Sequence, residues 1–330
     1  MSKPTIKEKE AQNQHWSTLE ERGSILGMRI LFAFYRLVGR RILWLVLFPV
    51  VCYLYIVNKV ARHASLQFLA RALHDENGQR ERAGFWHGLK LHCSFADSVF
   101  DKLDAWLGRV SENDIDYLDR NGIKELVEQK QGGIFIGSHL GNLEVCRALS
   151  TMKDDVVINV LVFTDNAVKF NKLLEKVNNK VTVNLIQVGD IGPGLAVVLK
   201  EKVEQGEAIV IVGDRTSISI GGRVIYAPFL GKKAPFAQGP FILAALLECP
   251  IYWIFCFKSK GRFNLIFEHV TDRLALPRKQ RAQVLQEIVE KYAQRLSHYA
   301  VKYPYQWFNF YDFWQTDEQV SRIESNGENK

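Results

Sequence analysis

The sequence predicts an α/β fold: a mostly parallel central sheet flanked by helices, preceded by an N-terminal hydrophobic anchor helix. Three observations predict it. Short apolar, β-rich runs alternate with amphipathic helical stretches from residue 131 onward, the pattern of βαβ units. The first of these runs, Ile134-Phe135-Ile136, is bracketed by glycines and ends in a turn rich in small residues, as strand-to-helix connections in such sheets do. The run Ile42 to Val57 holds sixteen residues without a charge, an apolar density that belongs to a buried or membrane-facing helix.

In chain order, residues 1–23 read as a polar leader and 24–62 as a membrane anchor. Residues 63–315 read as the α/β domain and 316–330 as a polar tail. The uncharged run falls just short of the ~17 residues of the shortest spanning helices, and Pro49 is expected to kink it. Arg36, Arg40 and Arg41 precede it and Lys59 and Arg62 follow it, so the positive-inside rule gives no orientation. Three readings stay open: a kinked or re-entrant anchor with both ends at one leaflet, a single tilted span, and a buried soluble helix. From Leu66 to Lys130 the pattern is helical, with Ser111, Glu112 and Asp114 as an N-terminal cap signal. Strands are expected at Val156 to Phe163, Val181 to Val188, Ala208 to Val212, Ile251 to Phe257 and Phe263 to Val270. Helices are expected at Leu195 to Glu204, Ala237 to Leu247 and Gln280 to Tyr303, and a hairpin around Gly221-Gly222 within Ile218 to Ile225.

Of 330 residues 47% are hydrophobic, ample for a sizeable core and incompatible with a disordered chain. The charge of +7 suits nucleic acid or an anionic membrane face equally; the apolar segment decides for anionic lipid and against nucleic acid. Cysteines 52, 93, 146, 249 and 256 show no CxxC spacing, which suggests neither a disulfide framework nor a zinc site. No histidine pairing has metal spacing, so no metal and no cofactor is expected. Gly189 to Gly194 lacks both the dinucleotide fingerprint and a Walker lysine, and no Gly-x-Ser-x-Gly elbow surrounds Ser138 or Ser94.

The run Gly132 to Glu144 concentrates candidate chemistry. His139 falls in the turn after the strand, and Asn142 with Glu144 opens an amphipathic stretch containing Leu143, Val145, Cys146 and Leu149. On a continuous helix, positions five apart lie ~140° out of alignment at ~100° per residue. Glu144 therefore reaches His139 only if the histidine is non-helical and the carboxylate folds back. So placed, it would hold one imidazole nitrogen and leave the other to accept a proton from a hydroxyl. Gly137, Ser138 and Gly141 allow close backbone approach and N–H groups aimed at an oxyanion. Asp214 and Arg215 leave the strand Ile209 to Gly213 and share a sheet edge with His139 if those strands run parallel.

His139 followed by Glu144 resembles the His-x4-Asp/Glu signature of the lysophospholipid acyltransferase superfamily, in the glutamate form of bacterial late lipid A acyltransferases. The resemblance continues in order through Gly213-Asp214-Arg215, Ala227-Pro228-Phe229-Leu230-Gly231, Gly239-Pro240-Phe241-Ile242-Leu243-Ala244 and the aromatic run Tyr305 to Trp314. It departs at Thr216, where that family is expected to carry a second acidic residue. The resemblance implies a glycerophospholipid-acyltransferase-like fold and an enzyme that moves a fatty acyl group from acyl carrier protein or acyl-CoA to a hydroxyl or amine of a lipid. His139 is then the general base and Glu144 its orienter. The family default for the acceptor is a lipid A precursor, and the same branch also serves aryl polyene and related membrane-lipid pathways. A bacterial inner membrane, with the catalytic domain facing the cytosol, follows as the location. Arg215 would bind the acceptor or steady the oxyanion, with Asp214 aiming it; Lys169, Asn171, Arg223, Lys232 and Lys233 are candidate substrate contacts. A thioesterase or a catalytically silent membrane adaptor are the alternatives. The closing aromatic cluster is expected to divide between core, membrane interface and acyl channel, with Tyr311 and Asp312 as polar handles.

Overall fold

The computed structural model describes residues 25–74, 78–118, 131–145, 157–162, 183–187, 193–215 and 224–314. The first helices are α1 (Ile25–Val57), α2 (Lys59–Ala72) and α3 (Phe85–Trp106). Strands β1 (Ile115–Tyr117), β2 (Gly133–Gly137), β3 (Ile158–Val162) and β4 (Val183–Gln187) precede α4 (Pro193–Glu204). Then come β5 (Ala208–Val212), β6 (Val224–Phe229), β7 (Lys232–Ala237), α5 (Gly239–Leu247), β8 (Ile251–Ser259), β9 (Arg262–Thr271) and α6 (Arg281–Lys302).

Among the described residues, seven strands form one sheet in the order β1-β9-β8-β2-β5-β3-β4, and β6 with β7 forms a separate hairpin. The run from β8 to β4 is parallel; β9 and, beside it, β1 run the opposite way. The fold is therefore α/β with a mostly parallel mixed sheet. β2 is buried along its whole length, as is β8 from Ile251 to Phe257, which explains why these strands read as continuous apolar runs. Ile134, Ile136, Ile209 and Ile211 turn to one face, against Leu199, Leu247, Tyr292 and Leu296 of the helices. Phe135, Tyr252, Ile254 and Cys256 turn to the other, with Ala105 and Val110. α6 buries Leu285, Ile288, Val289, Tyr292, Leu296 and Tyr299, a 3.6-residue stripe.

Two expectations change. The Ser111 signal opens only a short 3₁₀ turn, with Asp114 accepting from the Ser111 backbone N–H at 2.8 Å. The chain then enters β1, inside a stretch that reads as helical; three residues paired with β9 are too short to show a period. A hairpin that the sequence did not mark is β6–β7, and its turn is Leu230-Gly231, both at positive φ (49° and 79°), the geometry of a two-residue hairpin loop. Ala227 to Gly231 thus supplies a strand end and a turn, while the hairpin expected around Gly221-Gly222 lies outside the described residues. In α1 the break falls at Gly39 (φ 73°, ψ 174°), and the helix continues through Pro49.

α1 is packed along α3 in the antiparallel sense. Tyr35 stacks on Phe100 near one end (centroids 5.7 Å apart) and donates to Asp104 at 2.8 Å; near the other end the Tyr55 hydroxyl donates to the Phe85 carbonyl at 2.9 Å. Just past the Gly39 break, Arg40 donates to Asp101 at 2.6 Å, and Lys258 at the end of β8 meets the same carboxylate at 2.6 Å. The opposite side of α1 is bare: Leu37 is 84% exposed, and Ile42, Leu45, Val46, Tyr53 and Leu54 are also exposed. The span Phe34–Val57 is long and apolar enough to cross a membrane.

Candidate active site

The site is built where two parallel strands end in register. β2 and β5 pair Gly137 with Val212, and the Gly213 N–H continues the ladder to the Gly137 carbonyl at 2.9 Å. Two residues beyond Gly137 comes His139 and two beyond Val212 comes Asp214, so equal offsets deliver both side chains to one point. Close packing requires glycine at 213, where a Cβ would lie 3.0 Å from the Tyr292 ring and 2.9 Å from Ile136. Gly141 turns at φ +87°, and a Cβ there would meet the Cys256 carbonyl oxygen at 2.1 Å.

Asp214 grips the histidine twice. Its Oδ1 receives His139 Nδ1 at 2.8 Å and its Oδ2 receives the His139 backbone N–H at 2.8 Å. The Trp307 indole N–H adds a third bond, to Oδ2 at 3.1 Å. Asp214 is 1% exposed, whereas 30% of the His139 side chain remains accessible. Burial pushes the carboxyl up, but the His139 imidazole, the hydrogen bonds from it and Arg215 outweigh that and hold it below the ordinary carboxylate range. Burial lowers His139 below its usual value, Asp214 offsets part of this, and Arg215 and Lys102 lower it further. The resulting state near neutrality is an ionised Asp214 beside a neutral imidazole. The carboxylate selects the tautomer with hydrogen on Nδ1, which leaves the Nε2 lone pair as the basic site.

The segment after α6 closes over this pair. Leu140 and Trp307 form an isolated antiparallel bridge, and the Gly141 N–H donates to the Gln306 carbonyl at 2.7 Å. The Gln306 side chain clasps Lys258, accepting from its N–H at 2.9 Å and donating to its carbonyl at 2.8 Å. Trp307, 1% exposed, packs against Phe68, Phe229 and Phe313. The Tyr292 hydroxyl donates to the Gly137 carbonyl at 2.7 Å, and burial raises its pKa well above the phenol value, so it serves as a fixed strut.

These contacts correct one sequence expectation. The carboxylate on His139 Nδ1 is that of Asp214, 75 residues away, while Glu144, in a 3₁₀ turn at Leu143–Val145, accepts from the Trp106 indole at 3.1 Å. In the glycine and serine run, too, several polar groups are already engaged. The Gly141 N–H is committed to Gln306, the Ser138 hydroxyl accepts from the Leu140 N–H at 3.2 Å, and the Gly137 carbonyl is held by Tyr292. Arg215 lies close enough for its charge to act on His139, Asp214 and Tyr311. Lys232 and Lys233 stand exposed at the start of β7. Lys169, Asn171, Arg223, Cys146 and Thr216 lie outside the described residues. Trp307 and Gln306 are the site residues that motif reading missed. The signal for Trp307 is a buried indole needing an acceptor; nothing local marks Gln306.

Among the described residues no cluster of histidine, cysteine or acidic side chains has the makings of a metal site. A groove of about 570 Å³ at the opposite end of the sheet, lined by Gly132, Lys200, Glu204, Glu248 and Cys249, carries a Lys200–Glu248 ion pair and a Cys249 thiol pushed up to about 11 by burial. It has no poised nucleophile. No protein-family model and no curated protein matches this chain.

Proposed function

We propose that this chain is a membrane-associated acyltransferase that moves a fatty acyl group from an acyl thioester to a hydroxyl or amine of a lipid acceptor. The observation that carries the proposal is the buried, ionised Asp214 fixed on His139 Nδ1, with Nε2 basic and the imidazole edge accessible. This is the constellation of a general base. The order of motifs along the chain, which resembles that of the lysophospholipid acyltransferase superfamily, supports the reaction type.

In the proposed step Nε2 takes the acceptor proton as its oxygen or nitrogen attacks the thioester carbonyl. The developing oxyanion lies in the field of Arg215. The tetrahedral intermediate collapses by breaking the C–S bond, and the imidazolium returns its proton to the leaving thiolate. Asp214 stabilises the transient imidazolium, the part the sequence assigned to Glu144. No covalent enzyme intermediate enters. Acyl carrier protein or acyl-CoA is the donor, and a lipid A precursor or an aryl polyene lipid the acceptor. The exposed apolar side of α1 with its flanking arginines supports docking on the anionic cytosolic face of a bacterial inner membrane.

The test is transfer of labelled acyl chains from acyl carrier protein into a bacterial lipid extract by the detergent-solubilised full chain, beside His139→Ala and Asp214→Asn. Label entering one lipid class with the wild type, and falling by roughly 10³-fold or more in either variant, is the expected result. Release of free fatty acid without lipid label would make the chain a thioesterase. Equal turnover in all three proteins would overturn the general-base assignment.

A further inference from the structure

The segment that closes the site alternates in two directions, as an extended chain must. Phe308 and Phe310 turn toward α3, meeting Phe95 at ring separations of 5.4 and 5.1 Å, and Phe310 meets His92 at 4.7 Å. Trp307 turns the other way, onto Asp214, and Phe313 packs on Trp307 and Phe229. Asn309 and Tyr311 share the side of Trp307. Asn309 is only 4% exposed, yet among the described residues neither its side-chain oxygen nor its side-chain nitrogen makes a hydrogen bond of good geometry. The Tyr311 hydroxyl is buried and likewise makes no hydrogen bond of good geometry among the described residues. The Asn309 amide makes a weak side-chain contact with that phenol, and the Phe308 N–H on the His139 carbonyl at 3.4 Å and the Trp307 bond to Asp214 hold this stretch beside the catalytic pair. A leucine at 309 would fill such a position in an aromatic segment without desolvating an amide. Buried polar side chains are otherwise hydrogen-bonded, and an orphaned one calls for an occupant.

We infer that Asn309 and Tyr311 form an acceptor-positioning wall, binding hydroxyl groups of a polyhydroxylated head group next to the one that gives its proton to His139. Amide and phenol are neutral groups that both donate and accept, which is the complement of vicinal hydroxyls. Arg215 supplies positive charge beside them. The inference rests on the acyl-transfer reading and names the acceptor side of that site.

Asn309→Leu and Tyr311→Phe test it in the full-length, detergent-solubilised chain. The acceptor KM is expected to rise about tenfold or more in Asn309→Leu and about threefold or more in Tyr311→Phe. The KM for the acyl donor should stay within about twofold. Asn309→Leu should unfold at or above the wild-type temperature, because an apolar group replaces an unpaired amide. An unchanged acceptor KM in both variants would mean that the amide faces internal water only, and would overturn the assignment. Donor and acceptor KM rising together would overturn it too, as general loosening. Should the wild type transfer no acyl group, the reaction fails but the wall is still decided by methyl glucoside as a thermal-shift probe. Stabilisation of wild type but not of Asn309→Leu supports the wall, and equal or absent shifts overturn it.

Discussion

At the residue scale, Asp214 carries the argument because one buried carboxylate satisfies three donors, the His139 ring, the His139 backbone and the Trp307 indole. Asp214→Asn keeps the shape but can select the wrong tautomer, so its activity should fall by roughly 10³-fold or more. Glu144→Gln, by contrast, leaves Nδ1 held and should lose less than about tenfold; steady-state kinetics on the two variants separates the two carboxylates. The pH profile should show its acidic limb below the ordinary histidine value of about 6.5, since burial lowers His139. The sign for stability agrees. A folded imidazole with a lowered pKa binds protons less well than the unfolded one, so His139 costs stability as pH falls through that ordinary value. Asp214, depressed when folded, contributes stability above the ordinary carboxylate range that is lost as pH falls toward its lowered value. His139 and Asp214 were both legible as chemistry-bearing residues at strand ends. Their partnership was not, because the nearby Glu144 offered a local alternative that only the register excludes.

At the element scale, α1 combines a packed side and a bare side. Arg40, placed by the Gly39 break, and Lys258 converge on Asp101, whose side chain is 4% exposed. Removing that carboxylate leaves Arg40 and Lys258, both part-exposed, sharing Asp97, with Asp104 beside Arg40. Asp101→Ala should therefore cost roughly 1.5 kcal/mol, the lower end for a lost hydrogen bond to a charged group, read as a drop in the urea midpoint at unchanged slope. Because α1 runs along α3, which carries Asp97, Asp101, Lys102 and Asp104, a perpendicular crossing would carry those charges into the bilayer. Under the proposed membrane docking, the packing therefore calls for α1 to lie in the membrane surface. Leu45→Asp with Phe48→Asp, both on the exposed side, should abolish co-sedimentation with anionic vesicles; retention of binding by the double variant would place the docking face elsewhere. The sequence located this helix and its basic flanks. It misplaced the bend at Pro49, since a proline in a surface helix can be accommodated, whereas Gly39 takes up a conformation that other residues avoid.

At the scale of the whole molecule, the C-terminal segment completes a site begun some 170 residues earlier in the chain: Gln306 and Trp307 tie the His139 turn to β8, α2 and the β6–β7 hairpin. Ending the chain after Tyr303 would strip Trp307, Phe313 and Trp314 from the core. Such a protein should lose cooperative unfolding by calorimetry along with activity. The apolar runs of β2, β5 and β8 and the stripe of α6 declare themselves in the sequence, because strand and helix periods are local and burial on both faces leaves no polar positions. The same local evidence marked the turn after β2 as a place for chemistry. Which carboxylate faces His139, which N–H groups are already spent, and that an isolated three-residue strand ends the sheet were decided only by tertiary structure. Each depends on strand register and on contacts between residues far apart in the chain, and no spacing within a single segment encodes those.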